Sequence, residues 1–163
     1  MRRFTIIILP LILIACSSRI GDATVARVVD GDTLGVTFAD GKQEKVRIVG
    51  IDTPETVDPR KPVQCFGREA SDYMKVLVSG KTVILEKKPD EDRDKYGRLL
   101  RYVMLDGQDI GAQMIGEGYA FSYKVFPHPR LAQYNQLERQ ARSERRGLWG
   151  DACEYASKKS SSR

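Results

Sequence analysis

The sequence predicts one α+β domain, in which five short strands form a small β-barrel and three helices are interposed or appended. The chain has 163 residues, a length that suits one compact domain. Five segments show strand-like alternation or composition between turn signals, and three others place apolar residues at helical spacing. With 41% hydrophobic and 30% charged residues, the composition excludes wholesale disorder and collagen-like repeats.

The N-terminal segment is set apart from this domain. A basic start at residues 2 and 3 precedes an apolar run over residues 4–15. The run is too short for a membrane-spanning helix of about 20 residues, and it fits the apolar core of a secretory signal. It ends in Leu-Ile-Ala-Cys at Cys16, which resembles the lipobox of bacterial lipoproteins. We therefore expect residues 1–15 to be a lipoprotein-type signal peptide and Cys16 to carry a lipid. A plain signal peptide followed by a chance Cys is the alternative.

A lipid on Cys16 predicts an exported protein that is anchored to a membrane of the cell envelope; without it, the protein is secreted. Ser17 after the Cys resembles the outer-membrane sorting class, which favours the outer membrane or a periplasm-facing position. Residues 16–22 then form an anchor and linker, and residues 23–153 form the domain. Residues 154–163 are rich in Ser and Lys and are expected to be a disordered tail.

The first three strands are predicted over residues 24–29, 33–38 and 46–49. The first ends at an Asp-Gly-Asp turn signal. The second alternates apolar and polar residues and meets Asp40-Gly41, a strong hairpin signal. The third is closed by Gly50 and by a Thr-Pro step. These signals predict three short strands joined by tight turns.

A helix is predicted next, over residues 66–78, where apolar side chains recur at helical spacing before Gly80, a C-cap signal. Two more strands follow over residues 82–86 and 99–105. The charged segment 87–97 links them and is most simply a solvated loop.

The last third of the domain is predicted to be mainly helical. Asp109 is an N-cap signal for a short helix. A final amphipathic helix starts near Leu131 and is finished by Gly147. Between them, His128 stands between two prolines and is expected to be exposed, and Trp149 is expected to plug the core beside the last helix.

The charge balance and the single His limit the range of possible functions. The chain has 27 Lys and Arg against 22 Asp and Glu, and its charge of +5 falls to +3 without the two signal arginines. This balance favours polyanionic partners but does not decide function. One His excludes zinc sites built on several imidazoles and chemistry that needs two His. Catalysis must then use carboxylates, Arg, Lys, Tyr or a hard metal ion.

Two cysteines remain for pairing if Cys16 carries a lipid. Cys65 and Cys153 would then lie in an oxidising compartment, where one disulfide would tie the C-terminal segment to the domain. Two free, unrelated thiols are the alternative, because pairing depends on a geometry that the sequence does not show.

Acidic residues collect at the predicted ends of strands. Asp32 lies in the Asp-Gly-Asp turn, and Asp52 and Glu55 lie in the Asp-Thr-Pro-Glu segment after the third strand. Functional groups concentrate on such rigidly supported loops, and carboxylates gathered there repel one another unless a cation joins them. Oxygen ligands favour a hard ion, Ca²⁺ or Mg²⁺. Arg47 and Arg98 offer planar forks that match phosphate oxygens, so these groups together suit attack on a phosphodiester.

Five segments agree in order and spacing with one known family: Asp30-Gly31-Asp32-Thr33, Asp52-Thr53-Pro54-Glu55, Phe66-Gly67-Arg68-Glu69-Ala70, Asp94-Lys95-Tyr96-Gly97-Arg98 and Arg146-Gly147-Leu148-Trp149. Through them, the chain from about Ala23 to Trp149 resembles the staphylococcal nuclease (thermonuclease) family. The resemblance implies a five-stranded OB-fold barrel with three helices, which agrees with the predicted strands.

The resemblance also implies a Ca²⁺-dependent nuclease that cuts DNA and RNA to 3′-phosphate products. The implied residues are Asp32, Asp52 and the carbonyl of Thr53 for Ca²⁺, Arg47, Arg98 and the general base Glu55 for catalysis, and Lys95, Tyr96 and Tyr123 for substrate contacts. No protein partner is indicated, so we expect a monomer. The alternative is a non-catalytic OB-fold module that binds nucleic acid at the envelope, which needs basic and aromatic surface but no glutamate beside two aspartates.

Overall fold

The structure is a computed structural model that describes residues 22–56, 64–151 and 153. The predicted signal peptide, the lipid on Cys16, nearly all of the linker and the tail 154–163 lie outside the described residues. Asp22, which we assigned to the linker, is the first residue of a strand. No helix among the described residues has the length and apolarity needed to cross a membrane.

The described residues form eight strands and three α-helices. The strands are β1 (Asp22–Val28), β2 (Thr33–Phe38), β3 (Gln43–Ile48), β4 (Ile51–Asp52), β5 (Thr82–Lys87), β6 (Leu99–Leu105), β7 (Gln108–Asp109) and β8 (Phe121–Ser122). The helices are α1 (Gly67–Val78), α2 (Ile110–Gly116) and α3 (Leu131–Ser143), followed by a 3₁₀ turn over Gly147–Trp149.

Five long strands close into a barrel, as the sequence predicts. Their order is β3-β2-β1-β5-β6 with antiparallel neighbours, and β3 pairs with β6 in parallel to close the ring. A register shift between Val25 and Arg27 marks a bulge in β1, a feature that bends a strand and raises its twist. The barrel is therefore a closed α+β fold of the OB type.

The core lies inside the barrel and beneath the helices. Alternating strand positions such as Val25, Val36 and Val46 are almost fully buried, because successive strand side chains point to opposite faces. Helix α1 contributes a stripe at helical spacing, in which Met74 and Val78 are fully buried. Each such side chain stabilises the fold by about 1.5–3 kcal/mol through burial.

Asp109 joins the two C-terminal helices, and it caps α2 as predicted. Its Oδ1 accepts the backbone N–H of Ala112 at 3.1 Å. Its Oδ2 accepts the hydroxyl of the fully buried Tyr134 on α3 at 2.8 Å and pairs with Arg130 at 2.6 Å. One carboxylate therefore fixes the angle at which α3 packs beside the barrel.

The expectation that His128 is exposed is wrong, and the charged loop is exposed except at a few positions. His128 is half-buried, because its loop folds back over the end of the barrel: its Nδ1 lies 3.1 Å from the Tyr102 hydroxyl, and its ring covers Gly50. Gly50 has no side chain that would block this approach. Lys88 is buried in the segment expected to be a solvated loop, with Nζ 3.0 Å from Glu91.

The structure joins Cys65 and Cys153 in a disulfide, with Cα atoms 5.7 Å apart across 88 residues of sequence. Cys65 lies two residues before the start of α1, and Cys153 follows the 3₁₀ turn. The bond therefore ties the C-terminal segment to the N-terminal end of α1.

Candidate active site

A small cavity of about 150 Å³, which we name the acidic pocket, contains all six residues predicted to bind metal or to catalyse. Its lining consists of Asp30, Asp32, Arg47, Asp52, Thr53, Pro54, Glu55 and Arg98. These residues come from the β1–β2 turn, from β3, from the segment that starts at β4, and from the turn before β6. The fold thus brings together groups that are far apart in the sequence.

Asp32 forms the floor of the pocket. It is buried, and its Oδ1 accepts the Thr33 hydroxyl at 2.9 Å. Its Oδ2 accepts the backbone N–H of Thr53 at 3.2 Å, which ties the β1–β2 turn to the segment after β4. Gly31 is needed for this contact, since a Cβ there would lie 2.8 Å from the Thr53 side chain.

Arg47 bridges the two aspartates. Its Nη1 donates to the carbonyls of Ile48 and Ile51 at 2.8 and 2.9 Å. Its Nη2 lies 3.0 Å from Oδ2 of Asp32 and 3.3 Å from Oδ1 of Asp52. The guanidinium is therefore held in one orientation by four acceptors before any substrate arrives.

Arg98 also lines the pocket and lies on the turn before β6. Its Nε donates to Asp94 Oδ2 at 2.6 Å, and its Nη1 donates to the Thr33 hydroxyl at 3.3 Å. Burial alone would raise the pKa of Asp94, but hydrogen bonds from Arg98 and from the backbone N–H groups of Tyr96 and Arg98 hold that pKa below its usual value. A stable carboxylate thus fixes both the turn and the guanidinium.

Glu55 stands at the rim of the pocket, just beyond β4. Its backbone N–H donates to Gln64 Oε1 at 2.9 Å, and its carbonyl accepts the Gln64 backbone N–H at 2.9 Å. Its Oε1 accepts the backbone N–H of Thr56 at 2.8 Å. The segment that carries the glutamate is therefore pinned to the residues just before α1.

Asp30 belongs to the pocket as well, although the sequence suggested only a turn role. Its Oδ1 does accept the backbone N–H of Asp32 at 3.1 Å, as a turn residue would. Burial, and then the negative charge of Asp32, raise the pKa of Asp30 to about 6. The pocket thus holds more negative charge than its arginines balance.

This donor set fits a hard cation. The side chains of Asp32 and Asp52 and the Thr53 carbonyl are oxygen donors, the type that Ca²⁺ and Mg²⁺ prefer. Four carboxylates line this pocket beside two arginines, an excess of negative charge that a cation would offset. Among the described residues no three His, Cys, Asp or Glu side chains group as a metal cluster.

A wider groove of about 500 Å³, which we name the main groove, shares Arg47, Asp52 and Arg98 with the acidic pocket. The three residues predicted to contact substrate, Lys95, Tyr96 and Tyr123, all line it. Exposed rings between cations fit a single-stranded nucleic acid, whose bases stack on aromatic side chains.

Tyr96 is the most prominent of these rings. It is 72% exposed, with Lys95 Nζ at 5.1 Å and Arg98 Cζ at 5.5 Å from the ring centre. Tyr123 lies 6.0 Å from the ring of Phe126, which is also exposed. The groove therefore offers two separate aromatic surfaces beside the acidic pocket.

Sequence reasoning missed several residues of the main groove: Lys88, Arg93 and His128. Burial, and then the charges of Lys88 and Arg130, lower the pKa of His128 below its usual value. The high density of charged residues in the 87–97 segment was the available signal. Its folding against the loop that carries His128 was not visible, because that contact joins distant segments.

A family profile and individual relatives indicate the family of this chain. A profile of the family described as "Staphylococcal nuclease homologue" matches residues 45–151. The thermonuclease of Staphylococcus hyicus is 38% identical over 128 residues, which cover 78% of this chain and 75% of the relative. An uncharacterized endonuclease of Escherichia coli is 38% identical over 129 residues, which cover 78% of this chain and 76% of the relative.

The SPbeta prophage-derived endonuclease YokF of Bacillus subtilis is 41% identical over 130 residues, which cover 78% of this chain but only 44% of that longer relative. Geometry, family profile and relatives of similar length therefore agree, and the chain belongs to the staphylococcal nuclease family.

Proposed function

We propose that this protein is a Ca²⁺-dependent nuclease that hydrolyses the phosphodiester bonds of DNA and RNA and leaves 3′-phosphate ends. The observation that carries the proposal is the acidic pocket, where Glu55, Arg47 and Arg98 share about 150 Å³ with three aspartates. Relatives named thermonuclease and endonuclease support a phosphodiester hydrolase.

The arginines stabilise charge on the phosphate as water attacks. Arg47 and Arg98 line the same pocket from different elements, and their existing hydrogen bonds fix both forks in advance. Donors that are already oriented toward developing charge need little rearrangement in the transition state, which is the main source of such stabilisation. Because phosphate contacts carry no base information, weak sequence preference follows.

Glu55 takes the proton of the attacking water. As the water oxygen bonds to phosphorus, the bond from phosphorus to the 5′ oxygen breaks. The leaving oxygen takes a proton from solvent and becomes a 5′ hydroxyl, and the phosphate stays on the 3′ side. The pinning of the Glu55 backbone by Gln64 keeps this base at the pocket rim. A carboxylate positioned in this way contributes about 10²–10⁴ in rate.

Asp32, Asp52 and the Thr53 carbonyl are the residues that would hold Ca²⁺. When bound there, the ion supplies Lewis-acid polarisation of a phosphate oxygen and a template for the substrate. Asp32 is fixed for this role by Thr33 and Thr53.

We also propose that Cys16 carries a lipid that holds the enzyme at the cell envelope. The lipobox-like Leu-Ile-Ala-Cys sequence supports this anchor. The disulfide between Cys65 and Cys153 fits an oxidising compartment. Replacing Cys16 with Ala should move the protein from the membrane fraction to the soluble fraction of the envelope, and unchanged fractionation would contradict the anchor.

A digestion assay tests the proposed activity. The protein without its signal peptide is incubated with DNA or RNA, first with Ca²⁺ and then with excess chelator. We expect cleavage of both nucleic acids with Ca²⁺ and none with chelator. Binding without cleavage under both conditions would instead support the non-catalytic OB-fold module.

Glu55→Gln tests the assigned base. The amide keeps the shape but accepts no proton, so kcat should fall about 10²–10⁴-fold while substrate binding is retained. Glu91→Gln is the matched control, because Glu91 lines the main groove and does not line the acidic pocket. Unchanged turnover in Glu55→Gln would remove this residue from the chemistry.

A further inference from the structure

A second groove of about 380 Å³ lies on the outer face of β1, β2 and β3, and we name it the strand-face groove. Arg27, Gly35 and Lys45 are among its lining residues. It also contains Tyr96 and Arg98, which line the main groove too. These two residues therefore stand at the border between the grooves, and Arg98 reaches the acidic pocket at the same point.

Strand pairing places two cations in one row across this face. Arg27 pairs with Gly35 in the β1–β2 ladder, and Gly35 pairs with Lys45 in the β2–β3 ladder. Neighbouring strands lie about 4.8 Å apart, so the backbones of Arg27 and Lys45 are separated by about 10 Å. Gly35 has no side chain, and the aliphatic part of the Arg27 side chain lies over its backbone. A Cβ on Gly35 would lie 2.8 Å from Arg27 Cγ.

No described residue neutralises the charges of this row. Neither Arg27 nor Lys45 forms an ion pair with any residue in the described ranges, and both are exposed. Glu44 is the single carboxylate among the described lining residues. It is occupied by both guanidinium nitrogens of Arg93 at 2.9 Å and by Lys42 at 2.9 Å. The groove therefore presents net positive charge to solvent.

We infer that the strand-face groove binds the phosphates of the polynucleotide beyond the cleaved bond, so that one strand runs from the main groove past Tyr96 to Arg27 and Lys45. The inference rests on the proposed nuclease function and extends its substrate site. Charge complementarity and continuity with the main groove at Tyr96 and Arg98 support a nucleic acid as the occupant.

The exposed ring of Tyr96 favours an unpaired strand at the crossing, because a base can stack on it only when it is free of its partner. The consequence is a dependence on substrate length. A dinucleotide fills the site around one phosphodiester and does not reach Arg27 or Lys45, whereas a longer single strand contacts both.

The test uses the double variant Arg27→Gln with Lys45→Gln, and two substrates: single-stranded DNA of about 20 nucleotides and a dinucleotide. Losing two phosphate contacts should raise KM for the long strand roughly tenfold near physiological salt, with kcat unchanged. Both constants for the dinucleotide should stay at wild-type values, since neither residue lines the acidic pocket or the main groove. The slope of log affinity against log salt, measured with chelator present, should fall in magnitude by about 1.4.

Two further variants sharpen the test. Arg27→Lys with Lys45→Arg keeps both charges and should keep the wild-type KM. Lys75→Gln with Arg139→Gln removes two exposed charges that line none of the three cavities, and it should also leave KM unchanged.

An unchanged KM for the long strand in the Gln variant would overturn the inference. So would an equal rise in KM for the dinucleotide, which would place the effect at the acidic pocket. A wild-type protein that cleaves neither substrate with Ca²⁺ would overturn the proposed function, and the inference with it.

Discussion

The two sides of the candidate site are held in different ways. On the barrel side, Asp32, Arg47 and Asp52 lie at strand ends, and Arg47 alone connects two carboxylates and two carbonyls. On the loop side, Tyr96 and Phe126 lie on turns with 72% and 58% of their surface exposed. The Arg47 side chain is only 15% exposed.

This difference separates the residues that act on the reacting phosphate from the residues that bind the rest of the strand. Groups that act on the reacting phosphate gain from a fixed, water-poor position. Groups that hold a variable strand gain from exposed, adaptable surfaces, because base stacking tolerates any sequence. We therefore expect barrel-side substitutions to lower kcat and loop-side substitutions to raise KM.

Arg47→Lys should have the largest effect. Lysine keeps the charge but lacks the planar fork, so it cannot satisfy four acceptors and present donors to phosphate together. We expect kcat to fall about 10²–10³-fold, the loss seen when one transition-state donor is removed.

Arg101→Lys is the matched control for this variant. Arg101 likewise donates to a carbonyl, that of Leu100 at 2.8 Å, and to a carboxylate, Asp92 at 2.8 Å, but it lines neither the acidic pocket nor the main groove. It should retain wild-type kcat. Equal losses in the two variants would show that the effect of Arg47 is structural.

Loss of the disulfide should have the next largest effect, and the bond lies next to the residues that hold the Glu55 segment. Cys65 follows Gln64, whose amide and backbone pin Glu55. Replacing Cys65 and Cys153 together with Ser should lower the free energy of unfolding by about 2–4 kcal/mol, because the bond closes a long loop. Denaturant titration measures this loss. A reductant should destabilise the wild type similarly and leave the Ser variant unchanged; equal stability of the two proteins would contradict the prediction.

Much of the barrel side was predictable from the sequence. The Asp-Gly-Asp turn and the Asp-Thr-Pro-Glu segment are short, local signals, and the strands beside them alternate clearly. The pairing of β4 with β8 was not predictable, because two-residue strands are too short to show alternation. Their existence depends on a partner that is distant in sequence.

The loop side was less predictable for a related reason. Lys88 reads as one more charge in a polar segment, and His128 reads as an exposed residue between prolines. Their burial arises where two distant loops meet over Gly50 and the barrel end. Local composition does not show that two distant loops are in contact. The resemblance of motifs to a known family, in contrast, indicated Lys95, Tyr96 and Tyr123.

Tyr96→Ala should weaken substrate binding and leave the chemical step unchanged. Losing one stacking surface is worth about 1–3 kcal/mol per base, so KM for single-stranded DNA should rise about tenfold with kcat within twofold of the wild type. Tyr96→Phe keeps the ring and serves as the control, with KM expected near the wild-type value. A fall in kcat that exceeds the rise in KM would contradict the assignment of chemistry to the barrel side and of strand binding to the loop side.

Glu44 links the two sides, and it gives the smallest effect. It lies on β3 and holds Arg93, which in turn donates to the Gly97 carbonyl at 2.7 Å in the turn of Tyr96 and Arg98. Hydrogen bonds from Arg93, and then from Lys42, lower the pKa of Glu44 from 4.5 to about 2. Because this pKa is depressed in the folded state, the stabilisation is complete above pH 4.5 and is lost as the pH falls toward 2.

Glu44→Gln should therefore cost about 1 kcal/mol of stability at pH 7, since the pair is partly exposed to solvent, and the cost should vanish as the pH falls toward 2. Denaturation measured at several pH values checks this, with Glu117→Gln, an exposed residue paired with Arg146, as a control that stays within about 0.5 kcal/mol. In activity assays with a dinucleotide, which does not reach the strand-face groove, the Glu44 variant should raise KM more than it lowers kcat, because it releases the turn of Tyr96 without touching the four acceptors of Arg47. A stability difference that persists at pH 2 would show that the Glu44 contribution is packing rather than charge.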